Sequence, residues 1–370
     1  REMKNGELSS LKKAMMPVIA AFGGVVAPAL IFTAINHGSA AASGWGIPTA
    51  TDIAFAVGIL SILGDRVPVS LKVFLTALAI ADDLIAILVV ALFYGGTINF
   101  GLLSIAFVLI ALVLLMNKLG EKRGWFYLVP AIAIWSLFYY AGIHSTMSGV
   151  VMAFLVPMTP RFSEAYFRRK RLQYIRRLNE YNGIESTSAE FPNGPQRHCL
   201  RRLSAISRDS IGMSYRLEHA LGPWVNFLIM PIFALANAGV EIPDVSYFNV
   251  FQFDQVLGSV SMGIFLGLVL GKPLGISLAS FIAVKLHVGE MPAKSTWPML
   301  IAVACLGGIG FTMSIFVDTL SFGDQTPEVM ARLRDMGKVA VLMGSLFAGI
   351  LGSVLINIIH GIESRKAVKS

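Results

Sequence analysis

Residues 39–63 read "SAAASGWGIPTATDIAFAVGILSIL", an apolar run long enough to cross a bilayer. Pro48 removes a backbone donor and clashes with the preceding turn, and two glycines just before it weaken the helix further, so a continuous helix is not expected. Thr51 and Asp52 follow at once, and these residue types are typical of a helix N-cap. The stretch therefore predicts two half-helices that meet near the middle of the membrane.

A second apolar run, "WPMLIAVACLGGIGFTMSIFV" at 297–317, carries Gly307, Gly308 and Gly310 at a comparable depth. Either run alone is also explained by close helix packing through small residues. Together they lie in the middle of the first three and of the last three predicted spans. Matched interruptions of this kind are typical of an inverted-repeat transporter whose binding site lies at the membrane midplane.

Composition places the chain in a membrane. Of its 370 residues, 55% are hydrophobic and 14% are charged, with a mean hydropathy of +0.69, whereas about a quarter of the residues of a soluble domain are charged. Cys199 and Cys305 are too few for a disulfide framework. We therefore predict an all-α polytopic membrane protein with ten spans, at 14–35, 39–63, 71–93, 100–117, 125–141, 143–158, 219–240, 257–284, 297–317 and 337–359.

The spans group into a first membrane region, 1–158, and a second, 219–370, with the two repeats expected at 14–93 and 257–359. Lys and Arg concentrate in one of the two alternating sets of loops, which predicts that both termini of this chain are cytoplasmic.

The loop between the two regions, 159–218, is strongly basic. Residues 161–216 contain twelve Lys or Arg and five Asp or Glu. Such a loop can bind anionic lipid or nucleic acid, or it can be a partly disordered insertion that fixes the topology, and the second interpretation is favoured. Within it, "FPNGPQRHC" predicts a turn-rich linker.

Two adjacent acids, Asp82 and Asp83, lie in the middle of the third span, in "ALAIADDLIAILVVAL" at 77–92. An unpaired carboxylate at that depth costs at least a few kcal/mol, so such residues face the interior of the bundle and mark ion or proton pathways. Successive residues on a helix point about 100° apart. One aspartate can therefore meet a structural partner while the other faces a cavity.

Lys272, in "GLVLGKPLGI", is the one basic residue deep inside a span. We expect it near the two interruptions, close to Asp82 or to Asp52, whose half-helix dipole stabilises an anion. A buried Lys–Asp pair with only a structural role is the alternative. Carboxylates in a partly dry site can hold protons or a small hard cation, which prefers oxygen ligands. Protons and sodium would then compete for the same oxygens, and exchange would follow.

Four motifs closely resemble the NhaA-type bacterial Na+/H+ antiporters: "GWGIPTATDIAFAVGILSILGDRVP", "LKVFLTALAIADDLIAIL", "LGKPLGISL" and "GGIGFTMSIF". The resemblance runs along the chain except for the central loop. Members usually have twelve helices, so it implies that this chain lacks the first helix and most of the second. It also implies a secondary active transporter of the bacterial inner membrane that exchanges cytoplasmic Na+ or Li+ for external protons, is electrogenic and is activated by alkaline pH.

The resemblance also assigns roles. Asp82 and Asp83 are implied to be the proton site and the site of the transported metal ion, Na+, with Asp83 the more direct ligand. Thr51 and Asp52 are implied to neutralise the crossing of two broken helices. Lys272 is implied to balance the opposite dipole ends and to pair with Asp82.

For the pH response the family points to acidic and His residues, here Glu2, Glu218, His219 and His144. His144 can equally belong to a helix kink, and His219 to an interfacial cap. The second His that often follows in the family is Gly222 here, so the pH profile is not expected to copy that of the best-known member. The family's dimerisation hairpin is missing from this sequence, which leaves a homodimer open.

Other classes of membrane protein fit the sequence less well. An intramembrane aspartyl protease needs a G-x-G-D element, which the sequence lacks. A sodium-coupled symporter of an organic solute is the stronger alternative, but it would favour aromatic and hydrogen-bonding side chains where "ATDIAFAV" and "GGIGFTM" are small and apolar. We expect no enzyme activity, no cofactor and no nucleic-acid partner; the expected partners are Na+, Li+, H+ and membrane lipids.

Overall fold

The computed structural model describes residues 11–94, 98–121, 123–160, 162–184, 194–237, 239, 249–251, 258–293, 295–323 and 325–369. These residues are mainly helical. The α-helices are α1 (Leu11–Ile35), α2 (Ile53–Leu63), α3 (Val69–Phe93), α4 (Phe100–Lys118), α5 (Trp125–Tyr140), α6 (Thr146–Leu155), α7 (Glu164–Ile184), α8 (Gly194–Asp209), α9 (Met213–Trp224), α10 (Met230–Asn237), α11 (Val260–Leu266), α12 (Lys272–Lys285), α13 (Trp297–Leu306), α14 (Phe311–Leu320) and α15 (Pro327–Lys369).

Among the described residues, six helical segments are long and apolar enough to cross a bilayer, or up to eight if two bent pairs each count as one span. The bent pairs are Ala40–Thr49 with Ile53–Arg66, at 41°, and α13 with α14, at 50°. Two further apolar helices, α5 and α6, are shorter. The chain is therefore a multi-pass membrane protein, while the total of ten spans stays a prediction.

Contacts divide the chain into two compact units, residues 1–95 with 228–370, and residues 96–227. In the first unit α1 packs against α3 and α12, and α15 packs against α13, α11 and α14. In the second unit α4, α5 and α6 pack around a small core that includes Ile134 and Phe138. The predicted division into two membrane regions and two repeats stays a prediction.

Both interruptions occur where the glycines and proline indicate them. The first half of the earlier pair is a 3-10 helix, Ala40–Thr49, with Pro48 buried in it, and α2 begins four residues later, at Ile53. The later pair breaks between α13 and α14, at residues 307–310. Close packing contributes as well, because a Cβ on Gly308 would lie 2.3 Å from the carbonyl oxygen of Leu268. The glycines therefore serve both the break and the helix contact.

A third irregularity precedes Lys272. Residues Gly267–Gly271 form a π-helical turn between α11 and α12. Pro273 has no N–H to donate to the preceding turn, and Gly271 weakens the helix beside it, which accounts for the widened turn.

The predicted basic loop contains two helices, α7 and α8, which pack against each other. The prediction of a turn-rich linker over 191–199 is therefore wrong from Gly194 onwards, where α8 begins; residues 191–193 lie outside the described part of the chain. Pro195 explains the error, since proline is tolerated in the first turn of a helix, where its missing N–H needs no partner.

A close helix contact in the first unit joins α1 to α12 through two glycines. A Cβ on Gly275 would lie 2.1 Å from the carbonyl oxygen of Gly23. Overpacking of this kind costs about 1–3 kcal/mol. We therefore expect Gly275→Ala to lower the free energy of unfolding by about that amount, measured by thermal unfolding in detergent.

Gly58→Ala is the matched control, because a Cβ there would meet nothing within 4 Å. Equal midpoints for the two variants would contradict the role given to the Gly23–Gly275 contact.

Candidate functional site at the helix breaks

Lys272 lies at the centre of the site and is completely buried, as is Asp82. Its ammonium group donates to Asp82 Oδ2 in a very short contact and to the hydroxyl of Thr51 at 2.6 Å. Of the two positions expected for Lys272, beside Asp82 or beside Asp52, the structure shows the first. Both charges are removed from solvent, so each depends on the other for compensation.

Thr51 connects this ion pair to the second break. Its hydroxyl accepts from Lys272 and donates to the carbonyl oxygen of Gly307 at 2.8 Å, just after α13 ends. The carbonyl end of a helix is its negative end and is stabilised by a nearby cation. The positive charge of Lys272 therefore acts on the carbonyl end of α13 through one hydroxyl.

Asp52 caps both half-helices that begin at the breaks. Its Oδ1 accepts from the Phe55 N–H at 3.2 Å in the first turn of α2. Its Oδ2 accepts from the Thr312 N–H at 3.1 Å, in the first turn of α14, and from the Thr312 hydroxyl in a very short contact. One carboxylate thus meets the positive ends of two helices.

Two further residues complete the junction. Gly310 N–H and Phe311 N–H donate to the hydroxyl of Ser345, on α15, at 3.2 and 3.0 Å. Asp52 N–H donates to the carbonyl oxygen of Ile309 at 2.6 Å. Backbone groups released by the breaks therefore find partners across the junction, which is the condition for unwound chain at membrane depth.

Sequence reasoning missed Thr312 and Ser345. Thr312 follows a glycine break, as Thr51 and Asp52 do, and that repeated pattern of break and hydroxyl was the available signal. No sequence pattern indicated Ser345, because nothing in its own helix distinguishes it.

The two adjacent aspartates differ in their surroundings. Asp82 is completely buried and pairs with Lys272, whereas Asp83 is only partly buried. Oδ1 of each has no hydrogen-bond donor among the described residues. No group of three or more His, Cys, Asp or Glu in the same part of the chain is arranged to hold a metal ion. A cation bound here would therefore combine these free carboxylate oxygens with neutral oxygen ligands.

Three of the four candidates for the pH response, His144, Glu218 and His219, belong to the second unit. Glu2 lies outside the described residues. In the second unit His144 Nδ1 lies 2.9 Å from the Thr146 hydroxyl, and His219 Nδ1 lies 3.1 Å from the Tyr215 carbonyl oxygen. Glu218 is exposed. Their roles in a pH response stay predictions.

Interrupted apolar helices that bring a buried lysine together with carboxylates define an ion-transporter class of multi-pass membrane protein. Comparison of the sequence with models of known protein families identifies the family. Residues 1–356 match the model of the family described as Na+/H+ antiporter 1. The chain belongs to that family.

Individual relatives agree. The chain is 42% identical over 357 residues to the Na(+)/H(+) antiporter NhaA of Syntrophobacter fumaroxidans, covering 95% of this chain and 72% of the relative. It is 41% identical to the NhaA protein of Oleidesulfovibrio alaskensis, with 99% and 79% covered. For the NhaA protein of Bacteroides thetaiotaomicron the identity is 40%, with 99% and 80% covered. These relatives are transporters by name, not enzymes.

Removing one charge of the buried Lys272–Asp82 pair should destabilise the folded protein. We expect Lys272→Met to lower the free energy of unfolding by about 3–5 kcal/mol, because it leaves Asp82 uncompensated. The double variant Lys272→Met/Asp82→Asn should recover part of that loss, measured by unfolding in detergent.

Lys285→Met, at the exposed end of the same helix, is the matched control and should be close to wild type. Strictly additive effects of Lys272→Met and Asp82→Asn would show that the two residues do not interact.

Because Asp52 caps two helices, it leads to a separate prediction. Asp52→Ala removes the acceptor for the first turns of α2 and α14, and a lost cap costs about 0.5–2 kcal/mol for each helix. Thermal unfolding should show this loss, whereas Asp65→Ala, at an exposed carboxylate, should show little. If Asp52→Ala unfolds no earlier than Asp65→Ala, then Asp52 does not hold the junction together.

Proposed function

We propose that this chain exchanges cytoplasmic Na+ for external protons, with Asp82 and Asp83 occupied in turn by H+ and by the cation. The observation that carries the proposal is the pair of buried, unpartnered carboxylate oxygens beside Lys272. Membership of the Na+/H+ antiporter family supports it.

The chemistry follows from charge balance. Na+ prefers ionised oxygen ligands, so cation binding requires that the carboxyl groups lose their protons. Asp83 is the more accessible residue of the two, since it is only partly buried, while Lys272 compensates the charge of Asp82. If both acids carry protons in one direction and share one cation in the other, more positive charge enters than leaves, and the exchange is electrogenic.

Alternating access belongs to the same proposal. The two broken helices cross at the junction, within two inverted repeats at 14–93 and 257–359, and the repeats rock around a fixed site. The chain then forms ten spans with both termini in the cytoplasm, in a bacterial inner membrane. Contacts of Asp52 with both half-helices support the crossing.

Regulation and partners complete the proposal. Glu2, His144, Glu218 and His219 are proposed to act in activation by alkaline pH. Li+ is proposed as a second transported ion because it uses the same hard-oxygen ligands. Membrane lipids and a second copy of the chain are proposed partners.

A sodium-coupled symporter of an organic solute is not favoured. Ala50, Ile309 and Gly308 at the junction are small or aliphatic and buried, and its two aromatic rings, Phe55 and Phe311, pack edge to face against each other at 4.9 Å. Among the described contacts the hydrogen-bonding groups of Thr51, Asp52 and Thr312 are used within the protein. They are therefore not free to bind a solute.

Sodium-driven exchange in sealed vesicles tests the proposal. Full-length protein is reconstituted and the internal pH is followed by fluorescence dequenching after Na+ is added, across a range of external pH. We expect Asp83→Asn to abolish the Na+-dependent signal, because a neutral amide can neither bind nor release the proton that Na+ displaces.

Asp65→Asn removes a carboxylate from an exposed position near α2 and should exchange as the wild type does. Normal exchange by Asp83→Asn would overturn the mechanism proposed for this site.

A further inference from the structure

Asp318 is a further buried acid, distinct from Asp52 and from the pair on α3. It lies on α14, six residues after Thr312, and its side chain is completely buried. Neither of its carboxyl oxygens has a hydrogen-bond donor among the described residues. The proposed exchange mechanism does not use it, and the sequence analysis did not identify it.

Within the described part of the chain, the charged neighbours of Asp318 come from one helix. They are Arg334, Asp335 and Lys338, all on α15. The other elements that pack against α14 are the 3-10 helix at Ala40–Thr49 and α10, and neither contains a charged residue. Tyr94 is a titratable group that contacts the same 3-10 helix, where its hydroxyl donates to the Ser43 carbonyl oxygen at 2.7 Å.

The two cations do not pair with Asp318. Arg334 Nη2 donates to the carbonyl oxygen of Ser321 at 3.4 Å, and Arg334 Nε is buried with no acceptor among the described residues. Lys338 Nζ donates to the carbonyl oxygen of Gly239 at 2.8 Å. An ionised carboxylate beside an arginine normally forms a short, charge-assisted pair with it. The lack of an ion pair between Asp318 and either Arg334 or Lys338 is the arrangement expected around a neutral carboxylic acid.

Space also limits what Asp318 can hold. A Cβ on Gly337 would lie 2.1 Å from Asp318 Oδ1 and 3.4 Å from Oδ2, so α15 passes directly against the carboxyl group. A metal ion needs several oxygen ligands around it, and here two of the three charged neighbours, Arg334 and Lys338, are cationic. A proton needs no additional room.

We propose that Asp318 is a proton-binding site, separate from Asp82 and Asp83, and that its carboxyl group carries a proton in this conformation. A buried acid with no donor and no ion pair avoids the cost of an unpaired charge by binding H+. The proposal concerns this one carboxyl group and does not depend on Na+ binding at the junction.

Infrared difference spectroscopy of the full-length protein in lipid tests the proposal. We expect a carbonyl stretching band of a protonated carboxylic acid that shifts in D2O and is lost in Asp318→Asn. Asp335→Asn, which removes the adjacent acid on α15, is the matched control and should keep that band. Loss of a carboxylate band in Asp318→Asn, with the acid band unchanged, would mean that Asp318 is ionised and would overturn the proposal.

Two additional variants keep the test decisive. Asp318→Glu retains a carboxyl group and should move the acid band without removing it. This variant replaces Asp318→Asn in the test if Asp318→Asn does not fold. Arg334→Gln should leave the band in place, because no ion pair is broken. Asp318→Asn should also retain Na+-driven exchange, so a failure of the proton site is distinguishable from a failure of the exchange mechanism.

Discussion

Backbone groups that are released where a helix breaks at membrane depth must find partners inside the protein, because lipid offers none. Two helices break in this chain, and each supplies part of what the other lacks. Asp52 follows the first break and accepts from the first turns of both α2 and α14. Thr51 reaches back to the carbonyl oxygen of Gly307 at the second break. The two interruptions therefore form one hydrogen-bonded junction.

The buried charges depend on this junction. Lys272 reaches Thr51 and Asp82 together, from a helix that is widened by a π-helical turn immediately before it. One lysine cannot satisfy all the oxygens of two adjacent acids, and one oxygen each of Asp82 and Asp83 stays unpartnered among the described residues. A structural ion pair would need no such excess of acceptor atoms, so we interpret the unsatisfied oxygens as the part of the site that binds ions.

Local composition was enough to predict the two breaks and the cap at Asp52, and it limited the partner of Lys272 to Asp82 or Asp52, because glycine, proline and buried charge have strong local consequences. The roles of Thr312, Ser345 and Asp318 depend on contacts between helices far apart in sequence, and no local pattern indicates them. The turn predicted at Gly194 was wrong because Gly-Pro suits the first turn of a helix as well as a loop. Roles for Glu2, His144, Glu218 and His219 stay predictions.

Competition between protons and Na+ for the same carboxylate oxygens is the central claim, and calorimetry tests it most directly. Na+ is titrated into the full-length protein in two buffers of different ionisation enthalpy, at one pH. The account predicts that the apparent binding enthalpy differs between the buffers, because Na+ displaces protons into the solution, and that the difference disappears when Asp83 is replaced by Asn. Saturable Na+ binding with the same enthalpy in both buffers would contradict it.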